Sequence, residues 1–413
     1  MNYVNFRLSV DTMLMVANDL VWQITDGIAL HGQQLKCLPT FVAIKQTLFN
    51  GDACVLDLGG SNLRAAKVVF IDGKVFAISR ALPIPMPWKR GTSYNKIDYL
   101  EKQADALINC GHIQELPLGY CFSFPADGLT NGDAQLIHWT KGLHVNDTEG
   151  QLVGKTFVDY ISRVHQVELT HPTVINDTVA SLLAGLTLPT TDATFGLIAG
   201  TGFNTAALIP AKLIAKLPEQ YSHLGGMPVN LESGNFNPSC LTEFDSLVDQ
   251  ESENPGMQVF EKAVSGMYLA RIFHAAYPDA GVDPQQGAKG VMQFIDSNSS
   301  ASAEVCSAIS LMIRAAQLIS IQMLGLIEHH LTYVNPKAKT FRFVCEGGLF
   351  WASGHKLGGF NKLVKDSLND ALVAKGWQAL AVDICKVEQA NLKGAAIAAL
   401  ANKQAAVQLQ HSA

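Results

Sequence analysis

Several short segments of this 413-residue chain carry residue types that bind anions or move protons. Asp57-Leu58-Gly59-Gly60-Ser61-Asn62-Leu63-Arg64 combines an acid, paired glycines, a hydroxyl and a cation. Glycines let backbone N–H groups close on an anion. Ser61 can donate a hydroxyl, and Asp57 can hold a hydrated Mg2+. The same residues also make an ordinary hairpin turn. Gly200-Thr201-Gly202-Phe203-Asn204 has the same two readings. Finding both turns, each with a hydroxyl residue beside glycine, favours phosphate binding. Asn176-Asp177-Thr178 precedes an apolar helical run. Asp177 is then either a helix N-cap or a general base at the mouth of a cleft; taken alone, these residues favour the cap.

Other segments are polar without being decisive. Tyr120-Cys121-Phe122-Ser123-Phe124-Pro125 reads as a strand ending in a turn. Trp139-Thr140-Lys141-Gly142 puts an aromatic, a hydroxyl and a cation in one loop. Glu232 falls in a loop. Glu261 falls near the start of an amphipathic helix with Phe260, Val264, Met267 and Tyr268 on its apolar face, where the macrodipole already favours an acid. The acidic set Glu243, Asp245, Asp249, Glu251 and Glu253 reads as a solvated face, and His329-His330 as helix surface or packing.

The elements that must position these groups alternate between helical and strand periodicity, which argues for an α/β protein. Helices are expected over 9–28, 149–164, 178–186, 257–275, 301–330, 363–374 and 392–409. Three segments read as a β-rich run, a glycine turn and a second β-rich run: 54–71, 195–209 and 341–350. The first two lie about 140 residues apart and look like one architectural unit used twice. A nucleotide between the halves would have both turns facing its phosphates.

Composition bounds the remaining choices. The length predicts two or three domains. The net charge of −6, from 30 basic and 36 acidic residues, disfavours a nucleic-acid binder. Hydrophobic residues at 48% and charged residues at 16% mark a folded, core-rich chain. The longest apolar stretch, 315–327, is shorter than the ~20 residues of a membrane span, so it reads as a buried helix. Residues 1–20 show no secretory pattern. Eight scattered cysteines without a C-x-x-C pair indicate neither zinc ribbon nor disulfide framework, and a cytoplasmic setting is expected. Cys54, Cys121 and Cys345 fall in expected strands as buried thiols.

Taken together and in order, these segments resemble the hexokinase family, the ATP-dependent hexose kinases of eukaryotic type. Leu35-Lys36-Cys37-Leu38-Pro39-Thr40 looks like the family's lead-in segment, and Asp57–Arg64 like its first phosphate loop. Phe122-Ser123-Phe124-Pro125 and Trp139-Thr140-Lys141-Gly142 are similar to its sugar signature. Asn176-Asp177-Thr178-Val179 matches the catalytic-aspartate segment, and Leu197–Asn204 the second phosphate loop. Asn254–Lys262 with Ser265–Leu269 is the longest family-like block. The repressor-type glucokinases share both phosphate loops but carry a cysteine-rich zinc segment that this chain lacks.

The resemblance implies a two-domain actin-like ATPase fold with a cleft between a small domain (51–176 plus 391–413) and a large one (1–50 plus 177–390). It implies Asp177 as the base that takes the proton of the sugar 6-hydroxyl, aided by Lys141. Ser123, Thr140, Lys141, Asn176, Asn204, Glu232, Asn254 and Glu261 would form the sugar site. Asp57, Gly59, Gly60, Ser61, Asn62, Arg64, Gly200, Thr201, Gly202, Gly347 and Gly348 would surround ATP and Mg2+. The implied substrate is a D-hexose, glucose first, with mannose, fructose or glucosamine as others, and neither nucleic acid nor membrane as partner. A catalytically silent sugar sensor and an actin- or chaperone-like ATPase are the alternatives on the same fold. Ser61 replaces the family's usual Thr. Ser233 stands where an aromatic often follows the glutamate, and Glu346-Gly347-Gly348 replaces a typical Asp-Gly-Ser/Thr. The chain is also somewhat short for the family.

Overall fold

The computed structural model describes residues 3–44, 49–59, 62–80, 83–85, 92–140 and 142–411. The chain divides into two compact units, each assembled from separated segments. One comprises residues 1–37, 191–206 and 231–386, and the other 38–190, 207–230 and 387–413. These limits fall at other residues than the division expected from the sequence. Helix Asp177–Gly185 groups with the second unit because helix Ala390–His411 packs against it there.

The second unit is built on a sheet in which Lys74–Arg80, Asn62–Ile71, Gly51–Leu58, Pro117–Phe122 and Thr170–Ile175 lie side by side. The first three run antiparallel. The last three run parallel. The central strands Gly51–Leu58 and Pro117–Phe122 are almost wholly buried, which fits their continuous apolar runs. Helices Lys96–Ile108 and Val153–His165 lie over a core of Leu56, Tyr120, Phe122, Phe157 and Ile161. Helix Ala390–His411 contacts all three parallel strands. It approaches so closely that a Cβ on Gly394 would lie 2.0 Å from the Ala180 carbonyl oxygen, and one on Gly119 2.2 Å from that of Ala395.

The first unit contains the parallel strands Ala193–Ala199, Thr340–Glu346 and Ala381–Cys385. Helix Ala303–His329 is its apolar axis, with Val10–Ala29 and Phe360–Ala374 packed on it. This helix is long and apolar enough to cross a membrane, and 83% of its most apolar window is buried inside the fold. Ser9 caps Val10–Ala29 through its hydroxyl, and Ser302 caps Ala303–His329.

Several expectations are corrected here. The helix expected over 257–275 is two helices, Val259–Val264 and Leu269–Ala276. The chain breaks at Ser265-Gly266, where the Gly266 N–H leaves the helix and donates to the Gly200 carbonyl at 2.7 Å. Met267 falls in that break and is exposed instead of packing with Phe260. The β-rich run expected right after Gly347-Gly348 is a turn over residues 348–351, and the Phe350 N–H donates to the Ala199 carbonyl at 2.9 Å. The acidic set is not uniformly solvated. Asp245 is buried in a two-pronged ion pair with Arg314, and Asp249 holds the buried Lys262 at 2.6 Å. His329 and His330 are both buried, so packing is their role.

Candidate functional site

In the second unit the strand register dictates which side chains meet. Asp57 is opposite Cys121, and Cys121 is opposite Ile175. The segments just past these positions therefore emerge together at the carboxyl ends of three parallel strands, where ligands of open α/β sheets bind. Asp57 is the penultimate residue of one strand, Ser123 follows the next, and Asn176-Asp177 follows the third. The Ser123 N–H donates to the Leu58 carbonyl at 3.2 Å, which fixes the first two edges together.

Asn176, not Asp177, is the helix cap. Its Oδ1 accepts from the Thr178 N–H at 2.9 Å, and Asp177 is the first helical residue. The Asp177 carboxylate is thereby left to side-chain chemistry, and Ser123 Oγ donates to its Oδ2 at 2.9 Å.

Asp57 is buried, and burial raises its pKa above the ordinary carboxylate value; the nearby Asp177 charge adds to this. Three groups act in the opposite sense. Arg64 Nη1 lies 3.3 Å from Oδ2, Asn391 Nδ2 donates to Oδ1 at 3.1 Å, and Cys121 gives a side-chain hydrogen bond. The Cys121 thiol is itself pushed far up, by burial first and then by Asp57 and Asp177, so it stays protonated. Asn391 and Cys121 were not among the expected site residues. The register that sets Cys121 against Asp57 shows only in the fold, and nothing local to Asn391 points to a partner more than 300 positions earlier.

The first unit gathers a second group. Gly200-Thr201-Gly202 turns between strands Ala193–Ala199 and Phe203–Pro210, with the Gly200 N–H on the Gly202 carbonyl at 2.9 Å. Gly347 packs against this turn at φ 105, and a Cβ there would lie 2.3 Å from the Ala199 carbonyl oxygen. Gly348 beside it is open. Glu261 Oε2 accepts from the Phe203 N–H at 2.8 Å. Asn204 Oδ1 accepts from the Thr205 and Ser233 N–H groups at 2.8 and 3.2 Å. Glu232 stands beside them in the left-handed region, at φ 55 and ψ 40. The Asn235 side chain links the 232 turn to the next block: its Nδ2 donates to the Glu232 carbonyl, and its Oδ1 accepts from the Gln258 N–H. Asn254 Nδ2 donates to Gln258 Oε1, and its carbonyl accepts from Lys262 Nζ at 2.7 Å, so Asn254 anchors the Glu261 helix.

The structure thus brings together Asp57, Ser123 and Asp177 in one unit, and Asn204, Glu232 and Glu261 with the Gly200-Thr201-Gly202 and Gly347-Gly348 turns in the other. The Asn62 carbonyl closes the first turn on the Gly59 N–H at 3.1 Å, and the Thr140 carbonyl accepts from Leu143. Gly60, Ser61 and Lys141 lie outside the described residues. Ser233 is fully buried and accepts the Thr205 hydroxyl, so its role is inside the turn.

Two family models, both described as Hexokinase, match this chain, one over residues 3–187 and the other over 194–282. The chain belongs to the hexokinase family. It is 34% identical to Hexokinase-3 of Mus musculus over 279 residues, 65% of this chain and 29% of that protein. It is 33% identical to Hexokinase-7 of Oryza sativa subsp. japonica over 273 residues, 62% of this chain and 58% of that protein. The matched part thus spans under a third of the mouse relative and under two thirds of the rice one. Among solved structures, the Schistosoma mansoni hexokinase complexed with glucose superposes with a TM-score of 0.73 at 21% identity, over 96% of each chain. A ROK hexokinase from Thermus thermophilus gives 0.55 at 17% identity, over 86% of this chain and all of the other. The fold of this hexokinase-family chain is the two-domain actin-like fold of the sugar kinases.

Proposed function

We propose that this chain is an ATP-dependent hexose kinase that transfers the γ-phosphoryl group of ATP to the 6-hydroxyl of a D-hexose. Asp177 carries the reading. Its carboxylate is relieved of capping by Asn176 and oriented by Ser123. An N-cap alone would have no use for that arrangement. In this reading Asp177 accepts the 6-hydroxyl proton as O6 bonds to the γ-phosphorus and the bond to the β-phosphate oxygen breaks, releasing ADP. Phosphoryl transfer depends on positioning and charge compensation more than on covalent help.

The polar residues fit such substrates. A hexose is a ring of hydroxyls, and Asn204, Glu232 and Glu261 offer an amide and two carboxylates to it. The Gly200-Thr201-Gly202 turn, with Gly347-Gly348 packed on it, offers close backbone approach to a polyphosphate. Asp57 is an oxygen donor of the kind that holds Mg2+ through water, and Arg64 adds a cation beside it. Bound Mg2+ would neutralise polyphosphate charge. Lys141, Ser123, Thr140 and Asn254 complete the sugar-side set in this proposal.

Hexokinase-family membership makes glucose the first substrate to test, with mannose, fructose and glucosamine next. Entry into glycolysis and a cytoplasmic setting are part of the same proposal. The free thiols of Cys54, Cys121 and Cys345 suit a reducing compartment. A coupled ADP-release assay across the four sugars tests it. Turnover of at least one sugar by the wild type is expected, together with a fall of about 10²–10⁴-fold in kcat for Asp177→Asn. Absence of turnover with all four, or an unimpaired variant, would overturn the proposal.

A further inference from the structure

Beside the proposed sugar residues lies a buried hydroxyl pair that the chemistry above leaves unassigned. Thr205 and Ser233 are both completely excluded from solvent. Thr205 Oγ1 donates to Ser233 Oγ at 2.8 Å. The same two residues give their backbone N–H groups to one acceptor, Asn204 Oδ1. The Leu231 N–H donates to the Thr205 carbonyl at 3.1 Å. Both neighbours of Glu232 in the chain are therefore tied to residues 204–205.

Glu232 needs those ties. A residue with a Cβ rarely adopts the left-handed region, and it stays there only where the surroundings over-determine it. The flanking bonds from Leu231 and Ser233 supply that constraint, and the Asn235 N–H closes the turn on the Glu232 carbonyl at 3.0 Å. The network also fixes Asn204. Its Oδ1 is committed to two N–H groups, so the amide can contribute only N–H to any further partner.

We propose that Thr205 and Ser233 are positioning residues for hexose affinity, holding the Glu232 turn and the Asn204 amide in the geometry that receives the sugar. The inference rests on the hexose-kinase reading. Its signature is selectivity: the pair acts on hexose binding and leaves the nucleotide and the phosphoryl-transfer step alone.

The test compares the wild type with Thr205→Val, Ser233→Ala, the double variant and Thr205→Ser. Hexose binding is measured by calorimetry with D-glucose, or another of the four sugars if it is the substrate, without ATP. Steady-state constants for both substrates and the thermal midpoint are measured alongside. Loss of one buried hydrogen bond predicts a roughly three- to tenfold rise in Kd and KM for the hexose in each single variant. KM for ATP and kcat stay within about twofold. The double variant is no worse than the weaker single variant, because both remove one bond. Thr205→Ser restores hexose affinity. Should Thr205→Val not fold, Ser233→Ala reads the same bond. A lower thermal midpoint with unchanged hexose affinity would reduce the pair to a core contact and overturn the proposal. A wild type that neither binds nor phosphorylates any hexose would instead remove the reading on which it rests.

Discussion

At the scale of residues, Asn176 and Asp177 divide two duties. The amide caps the helix and the acid meets Ser123. The two variants should therefore separate stability from turnover. Asn176→Ala should cost about 0.5–2 kcal/mol of stability, read by denaturant melts. Asp177→Asn should leave the melt nearly unchanged while turnover collapses as above. Equal stability losses in the two would show that both serve the cap. The sequence alone could not say which of these adjacent residues is the cap, because Asn and Asp are about equally good caps and the choice turns on one position in the helix start. The strand register that seats Cys121 against Asp57 is likewise invisible in a single strand's composition. Asp57, Ser123 and Asp177 were legible only as members of an ordered family pattern.

At the scale of elements, the first two glycine hairpins were legible because each pairs β-rich runs around a short turn. The third was not. Gly347 looks like another hairpin turn, but it is a packing surface for the Gly200 turn. Gly347→Ala would place a Cβ against the Ala199 carbonyl at a positive φ, so a loss of at least ~1–3 kcal/mol is expected. A melt indistinguishable from the wild type would contradict that packing. The break at Ser265-Gly266 was hidden for a related reason: helical periodicity continues through it, and the interruption comes from distant backbone, the Gly266 N–H bonding Gly200 and its carbonyl Ala288. The end of helix Ala303–His329 offers a pH test. Burial first, then His330, lowers the His329 pKa to about 4, and its Nε2 has no hydrogen-bond partner among the described residues. Unfolded, the group titrates near the usual ~6.5 and so binds more protons than the folded state between those values. Its contribution is complete above about pH 6.5 and is lost as pH falls towards 4. His329→Gln should flatten the dependence of the thermal midpoint on pH in that window, by on the order of 3 kcal/mol. Parallel profiles for variant and wild type would refute it.

At the scale of the whole molecule, each unit carries its own core, and both are stitched from distant segments. Composition and alternating periodicity announced an α/β chain, but not which segments share a unit. That grouping depends on contacts between residues hundreds of positions apart, such as Asn391 with Asp57. A ligand that binds only the folded state stabilises it by mass action. D-glucose at a hundred times its Kd should add about 2.7 kcal/mol, visible as a rise in the thermal midpoint. L-glucose, with the same composition and the opposite hand, should leave the midpoint unchanged. No response to D-glucose, mannose, fructose or glucosamine would count against a hexose as the bound substrate.

The tight seat of helix Ala390–His411 has a consequence for how the chain is born. The strands it covers are synthesised far earlier, with Thr170–Ile175 the last of them. At ribosomal speeds of about 5–20 residues per second, their apolar face waits on the order of ten to fifty seconds for its cover. The seat that finally closes is narrow, since a Cβ on Gly394 would meet the Ala180 carbonyl and one on Gly119 the Ala395 carbonyl. Until the helix arrives, apolar strand surface of this kind is open to aggregation.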